Sequence, residues 1–467
     1  MQFRYSAIGL GVLCALTLSS AHATNGYLSH GYGTKSKGMA GAGTALPQDA
    51  MIVVSNVAGA AWLEERLDLG AALFAPSREY TQKSPTNMYP PEAIQAGIAP
   101  PWPVPVGSNP DFTGTVESER DLFLIPHVAY SRPLTDKGSF GVALYGNGGM
   151  NTSYNHQDTT KIPGTPAAGG LGTYGGAFGD PPNATAGIDL MQLMLNLSYA
   201  HKLTDQFSLG AGLILAYQSF KAQGLQALAP LVADGRADNL SNRGRDNVYG
   251  WGAQIGALWK PTDQWAIGAS YQTKIDFDRF DKYSDLFAKG GDMDAPAVLN
   301  AGIAFKPRAD LAFVFDVQHI LYSDVPAIAN DMTNNMLLCM AGQAQYCLGG
   351  SQGMGFGWDD MTVYKLGAQW EIVPNDWTIR AGYSYGEQPV PSSGVLFNVL
   401  APAVIEQHFT MGLTKQINKK SEIDLSLMYA PQNDLDCGCL VPASGGPESI
   451  NIAMDQWEIE LNFGYRF

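Results

Sequence analysis

His201-Lys-Leu-Thr-Asp-Gln-Phe-Ser-Leu-Gly210 returns as Trp259-Lys-Pro-Thr-Asp-Gln-Trp-Ala-Ile-Gly268. Weaker copies are Arg132-Pro-Leu-Thr-Asp-Lys137, Lys306-Pro-Arg-Ala-Asp310 and Glu371-Ile-Val-Pro-Asn-Asp-Trp377. Each copy sits between two runs in which apolar and polar residues alternate. A short Pro/Asp turn between two such runs marks a β-hairpin. Copies spaced by roughly 50 residues mean that one hairpin is used repeatedly.

Outward from these turns, fourteen alternating runs can be read. They are 66–80, 119–131, 139–150, 187–201, 206–220, 246–259, 264–277, 295–306, 311–322, 360–372, 377–386, 404–416, 422–429 and 453–467. An even number is what a closed bacterial barrel needs, and most runs reach the ~9–11 residues of a tilted membrane strand. Trp265, Ile267, Ala269, Tyr271, Ile275 and Phe277 are expected on one face of their strand. The last run sets Trp457, Ile459, Leu461, Phe463, Tyr465 and Phe467 against Glu458, Glu460, Asn462 and Arg466. The same alternation would fit a soluble barrel with its apolar face inward. Strand length and the terminal Phe467 favour the membrane version. The expected fold is therefore all-β: a fourteen-stranded antiparallel transmembrane barrel over 66–467.

Composition agrees. The chain is 45% hydrophobic and only 15% charged, against ~25% charged in soluble domains. Beyond the N-terminus no stretch offers the ~20 apolar residues of a membrane helix. The net charge of −15 argues against a nucleic-acid partner. Residues 1–23 read as a secretory signal peptide, with Arg4, an apolar core from Ala7 to Leu18, and Ala21-His22-Ala23 for cleavage.

The connections bearing the repeated turn are short. Those between them, about 81–118, 151–186, 221–245, 278–294, 323–359, 387–403 and 430–452, are long. Short periplasmic turns with long external loops are the rule for such barrels. Cys339, Cys347, Cys437 and Cys439 fall in the long set, where oxidation is permitted. Three pairings are possible, Cys339–Cys347 being the simplest. No His lies close in sequence to make a zinc site, and no metal or other cofactor is expected.

Residues 24–65 do not alternate. Gly38-Met-Ala-Gly-Ala-Gly-Thr-Ala-Leu-Pro-Gln-Asp-Ala50 is rich in small residues and nearly uncharged, which suits packing in a confined lumen. A disordered leader would be more polar. We read the segment as a plug. It resembles the N-terminal hatch of the FadL-type family, outer-membrane transporters of long-chain fatty acids and aromatic hydrocarbons. In the family an acidic residue precedes an Asn-Pro-Ala motif; here Asp49 matches the acid, and Asn56, Val57 and Ala58 the tripeptide, with Val57 in place of Pro. Arg380-Ala-Gly-Tyr-Ser-Tyr385 with Pro389-Val-Pro391, and Ala401-Pro402 leading to His408-Phe-Thr-Met-Gly412, extend the resemblance over the mature chain.

The resemblance implies external capture of a hydrophobic molecule, lumenal binding, and sideways release through the wall without ATP. It implies an outer-membrane location among lipid and lipopolysaccharide, and a monomer is expected. Leu225, Leu228, Leu231, Val232, Leu286 and Phe287 are the apolar loop residues for a capture groove, with mutual packing of the loops as the competing reading. Gly146, Gly148 and Gly149 in the third strand are candidates for a kink that opens the wall. Arg380 and Lys365 could meet a carboxylate head group, although a structural network of charges against the hatch is the favoured reading. Gly349-Gly-Ser-Gln-Gly353 and Gly382-Tyr-Ser-Tyr-Gly386 match a serine-nucleophile motif, but neither sits at the strand-to-helix elbow it requires. An enzyme, such as an outer-membrane lipase, is therefore not expected. A general porin, or a receptor or adhesin barrel, is the remaining rival.

Overall fold

The barrel closes on itself through its first and last long strands, as seen in a computed structural model that describes residues 25–82, 114–155, 185–437 and 450–467. We number the long strands β1 Arg66–Gln82, β2 Phe123–Pro133, β3 Gly138–Asn151, β4 Thr185–Lys202 and β5 Phe207–Gln223. There follow β6 Asp246–Trp259, β7 Trp265–Gln272, β8 Ala297–Arg308, β9 Leu311–Leu321 and β10 Met361–Val373. The last are β11 Trp377–Gly386, β12 Gln407–Gln416, β13 Ser421–Cys437 and β14 Ile450–Arg466. β1 pairs with β14 from Arg66↔Arg466 to Gln82↔Ile450, and on its other edge with β2. Apart from this β1–β14 closure every pairing between long strands joins sequence neighbours, all are antiparallel, and the sheet has no terminal edge strand. The signal-peptide segment and Cys439 lie outside the described residues.

The direction of the side chains decides between membrane and soluble barrel. Leu213, Ile255, Ile303 and Leu461 point out and are exposed, whereas Asn196, Gln254, Asp316 and Glu460 on the same or adjoining strands point in and are buried. A soluble barrel would reverse this arrangement. An apolar outer belt over a polar interior is the transmembrane pattern. Among the described residues no helix is long and apolar enough to cross a membrane, so the strands do the crossing.

The repeated turn has a structural task. Lys260 N–H donates to Gln206 O at 2.7 Å, and Lys306 N–H to Gln264 O at 2.7 Å. Lys202 N–H donates to Lys137 O at 2.8 Å, and Glu371 N–H to Asp310 O at 2.8 Å. Each turn is thus tied to the preceding one, and the same sequence recurs because the same contact recurs around the rim. Phe467 N–H donates to Glu65 O at 3.0 Å and completes the rim where the chain ends.

One expected strand is broken. β7 stops at Gln272 and resumes only as Asp276–Phe277, paired with Trp251 and Gly250 of β6. Between Gln254↔Gln272 and Trp251↔Asp276 the β7 side carries one residue more. An inserted residue reverses the facing of everything beyond it. Ile275 and Phe277 are therefore buried inside, not on the outward face with Trp265 and Ile267.

Candidate functional site: a plugged lumen beside a broken ladder

Residues 25–65 lie inside the barrel and are bound to its wall on opposite sides. Lys37 Nζ bridges Glu458 at 2.8 Å and Glu460 at 2.7 Å, both on β14. Thr34 Oγ1 donates to Glu460 at 2.6 Å, and Lys35 pairs with Glu422 of β13, which also holds Arg66 at 2.9 Å. Across the lumen, Asp316 of β9 accepts the Gly43 and Thr44 amides, each at 2.8 Å. Gln254 Nε2 donates to Val54 O at 2.8 Å, and Trp62 Nε1 to Ser208 Oγ at 2.8 Å. Buried charges persist only when paired, and these pairs are what seat the hatch.

Asn56, the first residue of the hatch tripeptide, is fully buried. Its Oδ1 accepts the Ala58 amide at 3.1 Å and caps the short 3₁₀ helix Val57–Trp62. Its Nδ2 donates to Thr44 O at 2.9 Å and to Ala257 O of β6 at 3.0 Å. Val57 opens this helix, a position whose N–H needs no partner within the helix, so the absence of proline is tolerated there. Asp49 Oδ1 accepts the Met51 amide at 3.1 Å and so belongs to the same folded plug. The wall makes room with glycine: a Cβ on Gly382 would lie 2.3 Å from Met39 C, and one on Gly256 2.2 Å from Asn56 Oδ1.

The glycine segment of β3 carries the break in the wall. The β2–β3 ladder runs from Pro133↔Ser139 to His127↔Tyr145 and then ends. Pro126, which has no N–H, occupies the next position of β2 and pairs only with β1. β3 continues on its other edge, against β4, with a register shift between Gly146 and Gly148. The edge that β2 leaves is taken by the hatch. Gly149 N–H donates to Tyr27 O at 3.0 Å, Ser29 N–H donates to Asn147 O at 3.2 Å, and Leu28 bridges Gly148. A Cβ on Gly148 would fall 2.1 Å from Tyr27 O, so only glycine admits this approach.

The outer half of the interior is apolar. Tyr27, Tyr322 and Trp358 form an aromatic cluster with ring centroids 5.1–6.1 Å apart. Leu225, Leu228, Leu231, Val232, Leu286 and Phe287 all belong to the same buried cluster, and the Phe287 ring lies 4.7 Å from that of Phe220. In this conformation the six pack the external loops together. Their exposure as a capture groove would need those loops to move. Cys339–Cys347 is bridged as the simplest pairing suggested, joining the helix Met332–Met340 to the segment whose Leu348 amide donates to Leu231 O at 2.8 Å. Cys437 is also in a disulfide.

Lys365 and Arg380 meet the hatch. Lys365 Nζ donates to His30 O at 2.8 Å, and Arg380 reaches Gln369, Thr414 and Gln48. Ser384 Oγ lies 3.1 Å from His408 Nδ1, both buried and paired across β11 and β12 near the strand ends, so the second serine motif is a strand-to-strand wall contact and not a strand-to-helix elbow. The sequence reading missed Pro126, Asp316, Gln254 and Trp62. Pro126 was the one available signal, a proline inside an otherwise regular strand.

A membrane barrel with its lumen plugged from the N-terminal side, and a packed apolar cluster above the plug, defines a class: outer-membrane channels for hydrophobic molecules. The chain belongs to the outer membrane protein transport protein family (OMPP1/FadL/TodX), whose model matches residues 182–438. A long-chain fatty acid transport protein of Salmonella typhi is 23% identical over 369 residues, covering 73% of this chain and 76% of that protein. The toluene transporter TodX of Pseudomonas putida superposes with a TM-score of 0.62 at 17% identity, covering 95% of this chain and 100% of that one. A FadL homologue of Pseudomonas aeruginosa gives 0.61 at 16% identity, with 95% and 100% covered. At these identities the structural likeness speaks to the fold, and it is the family match that makes the chain an outer-membrane transport protein.

Proposed function

We propose that this barrel passes hydrophobic molecules, long-chain fatty acids or related hydrocarbons, from the outside to the membrane interior through the gap between β2 and β3. One observation carries the reading: β3 loses β2 as a partner beyond Tyr145 and takes hatch residues 27–29 instead. A strand edge satisfied by a movable plug can be released when the plug shifts, whereas one satisfied by a neighbouring strand cannot. The cargo would enter from the external loops, displace the apolar packing around Tyr27 and Trp358, and leave sideways as Tyr27–Ser29 withdraw. No energy source is required, because an apolar molecule moves down its gradient into lipid.

A lock on that contact tests the path. Leu28 bridges Gly148 in antiparallel sense, so Ser29 faces Asn147. In Ser29→Cys/Asn147→Cys, oxidation should stop fatty acid uptake and reduction should restore it, with the wild type unaffected by either treatment. Undiminished uptake in the oxidised variant, with the bridge verified by mass spectrometry, would refute this route.

A further inference from the structure

The recurring turn places a lysine at the same point of three successive hairpins: Lys202, Lys260 and Lys306. By strand alternation each shares the inward face with a buried neighbour, Ala200, Leu258 and Ala304 respectively. All three therefore converge on the periplasmic mouth of the plugged lumen. Lys202 Nζ lies 4.4 Å, and Lys260 Nζ 4.0 Å, from the centre of the Trp62 ring at the end of the hatch. Among the described residues no carboxylate comes within ion-pair distance of any of the three. Like charges gathered without a counter-charge cost free energy. Burial, together with the nearby Lys306 and Lys202, pushes Lys260 down to about 8. Asp205 and Asp263 stand on the tips of the adjoining turns, both exposed.

Between these groups lies a cavity of about 310 Å³, separate from the apolar cluster above the plug. Trp62, Leu46 and Pro47 form an apolar side to it and Lys260 and Lys306 a cationic one, while Asp205 and Asp263 line its outer rim at the turn tips. Such a cavity has the two-sided chemistry of an amphiphile's end: a greasy stem and an oxyanion.

We propose that this cavity is a binding site for the anionic head group of an amphiphile, a carboxylate or a phosphate, held by Lys260 and Lys306 beside Trp62, with Lys202 adding its positive charge from over the Trp62 ring. The oxyanion would supply the missing counter-charge, and the Trp62 ring would pack along the first methylenes. A carboxylate would come from a fatty acid and a phosphate from a phospholipid of the inner leaflet. The site does not depend on the β2–β3 route, since it lies on the other side of the hatch.

The test is calorimetric titration of the detergent-purified full chain with decanoate, with dihexanoyl phosphatidylglycerol, and with decanol as the uncharged control. The variant is Lys202→Gln/Lys260→Gln/Lys306→Gln, with folding verified by heat-dependent gel mobility; Lys260→Gln alone serves if the triple variant does not fold. At least a tenfold loss of decanoate affinity with decanol unchanged supports the site and names a fatty acid as its source. The same loss for the phosphatidylglycerol alone supports the site and names the membrane. Wild-type affinity should also fall as the pH rises through about 8, where Lys260 gives up its proton. Equal binding of both anions by wild type and variant, or no binding of either by wild type, would overturn the proposal.

Discussion

Replacing Lys37 with Met should unseat the hatch. Lys37 Nζ is shared between Glu458 and Glu460, and all three side chains are almost fully buried. Methionine keeps the length of the stem and removes only the charge. Two carboxylates would then face each other in the lumen with their common cation gone. Removing one partner from a buried ionic group costs about 3–5 kcal/mol, because the remaining charge is left unpaired. That cost falls on the seated hatch alone, since in the displaced state water can reach the carboxylates. The ratio of displaced to seated hatch should therefore rise by roughly two to three and a half orders of magnitude. Single-channel recording in a planar bilayer reads this directly: the wild type should be nearly silent and Lys37→Met should show frequent openings. The control is Lys37→Met/Glu458→Gln/Glu460→Gln, which removes the charges on both sides and should return the channel towards silence. Refutation would take the form of a silent Lys37→Met channel, or of a triple variant as open as the single one.

Other outcomes follow from the same contacts. Gly382→Val places a side chain 2.3 Å from the Met39 carbonyl carbon; backbone cannot yield there, and overpacking of ~1–3 kcal/mol should make the hatch more sensitive to protease than in the wild type. Ile255→Lys, on the outward face of β6, should cost ~2–4 kcal/mol in urea refolding into lipid vesicles if that face meets the bilayer core. Cys339→Ser/Cys347→Ser opens a bridge spanning 8 residues, so cleavage of the external loop at 323–359 should speed up while the urea midpoint of the barrel stays put.

The barrel was legible because its rules are local. Alternation and turn chemistry repeat strand by strand, and fourteen runs were enough to count a closed sheet. Where a local rule was broken, the reading failed. The inserted residue after Gln272 cannot be seen in an alternating run, and it carried Ile275 and Phe277 to the wrong face. The hatch was visible from composition and from Asp49 and Asn56, but its partners were not. Lys37 and Glu458 are 421 residues apart, and nothing in either neighbourhood marks them as a pair. The same holds for Lys365, whose inward direction was readable from its strand but whose partner, the His30 carbonyl, was not. The glycines of β3 suggested a kink; that the hatch fills the vacated edge there is a tertiary fact that no window of sequence contains. The repeated lysines of the turns were in plain view throughout, and only closure of the barrel shows that they face one another around Trp62.

The central claim is that this chain moves hydrophobic molecules and not polar solutes. The most direct measurement is uptake by cells lacking their own fatty acid transporter, with and without this chain, of labelled oleate, labelled toluene and a labelled disaccharide. The expected result is faster entry of oleate, toluene or both, with the disaccharide unchanged. Faster disaccharide entry with neither hydrophobe affected would mark an open porin and contradict the account.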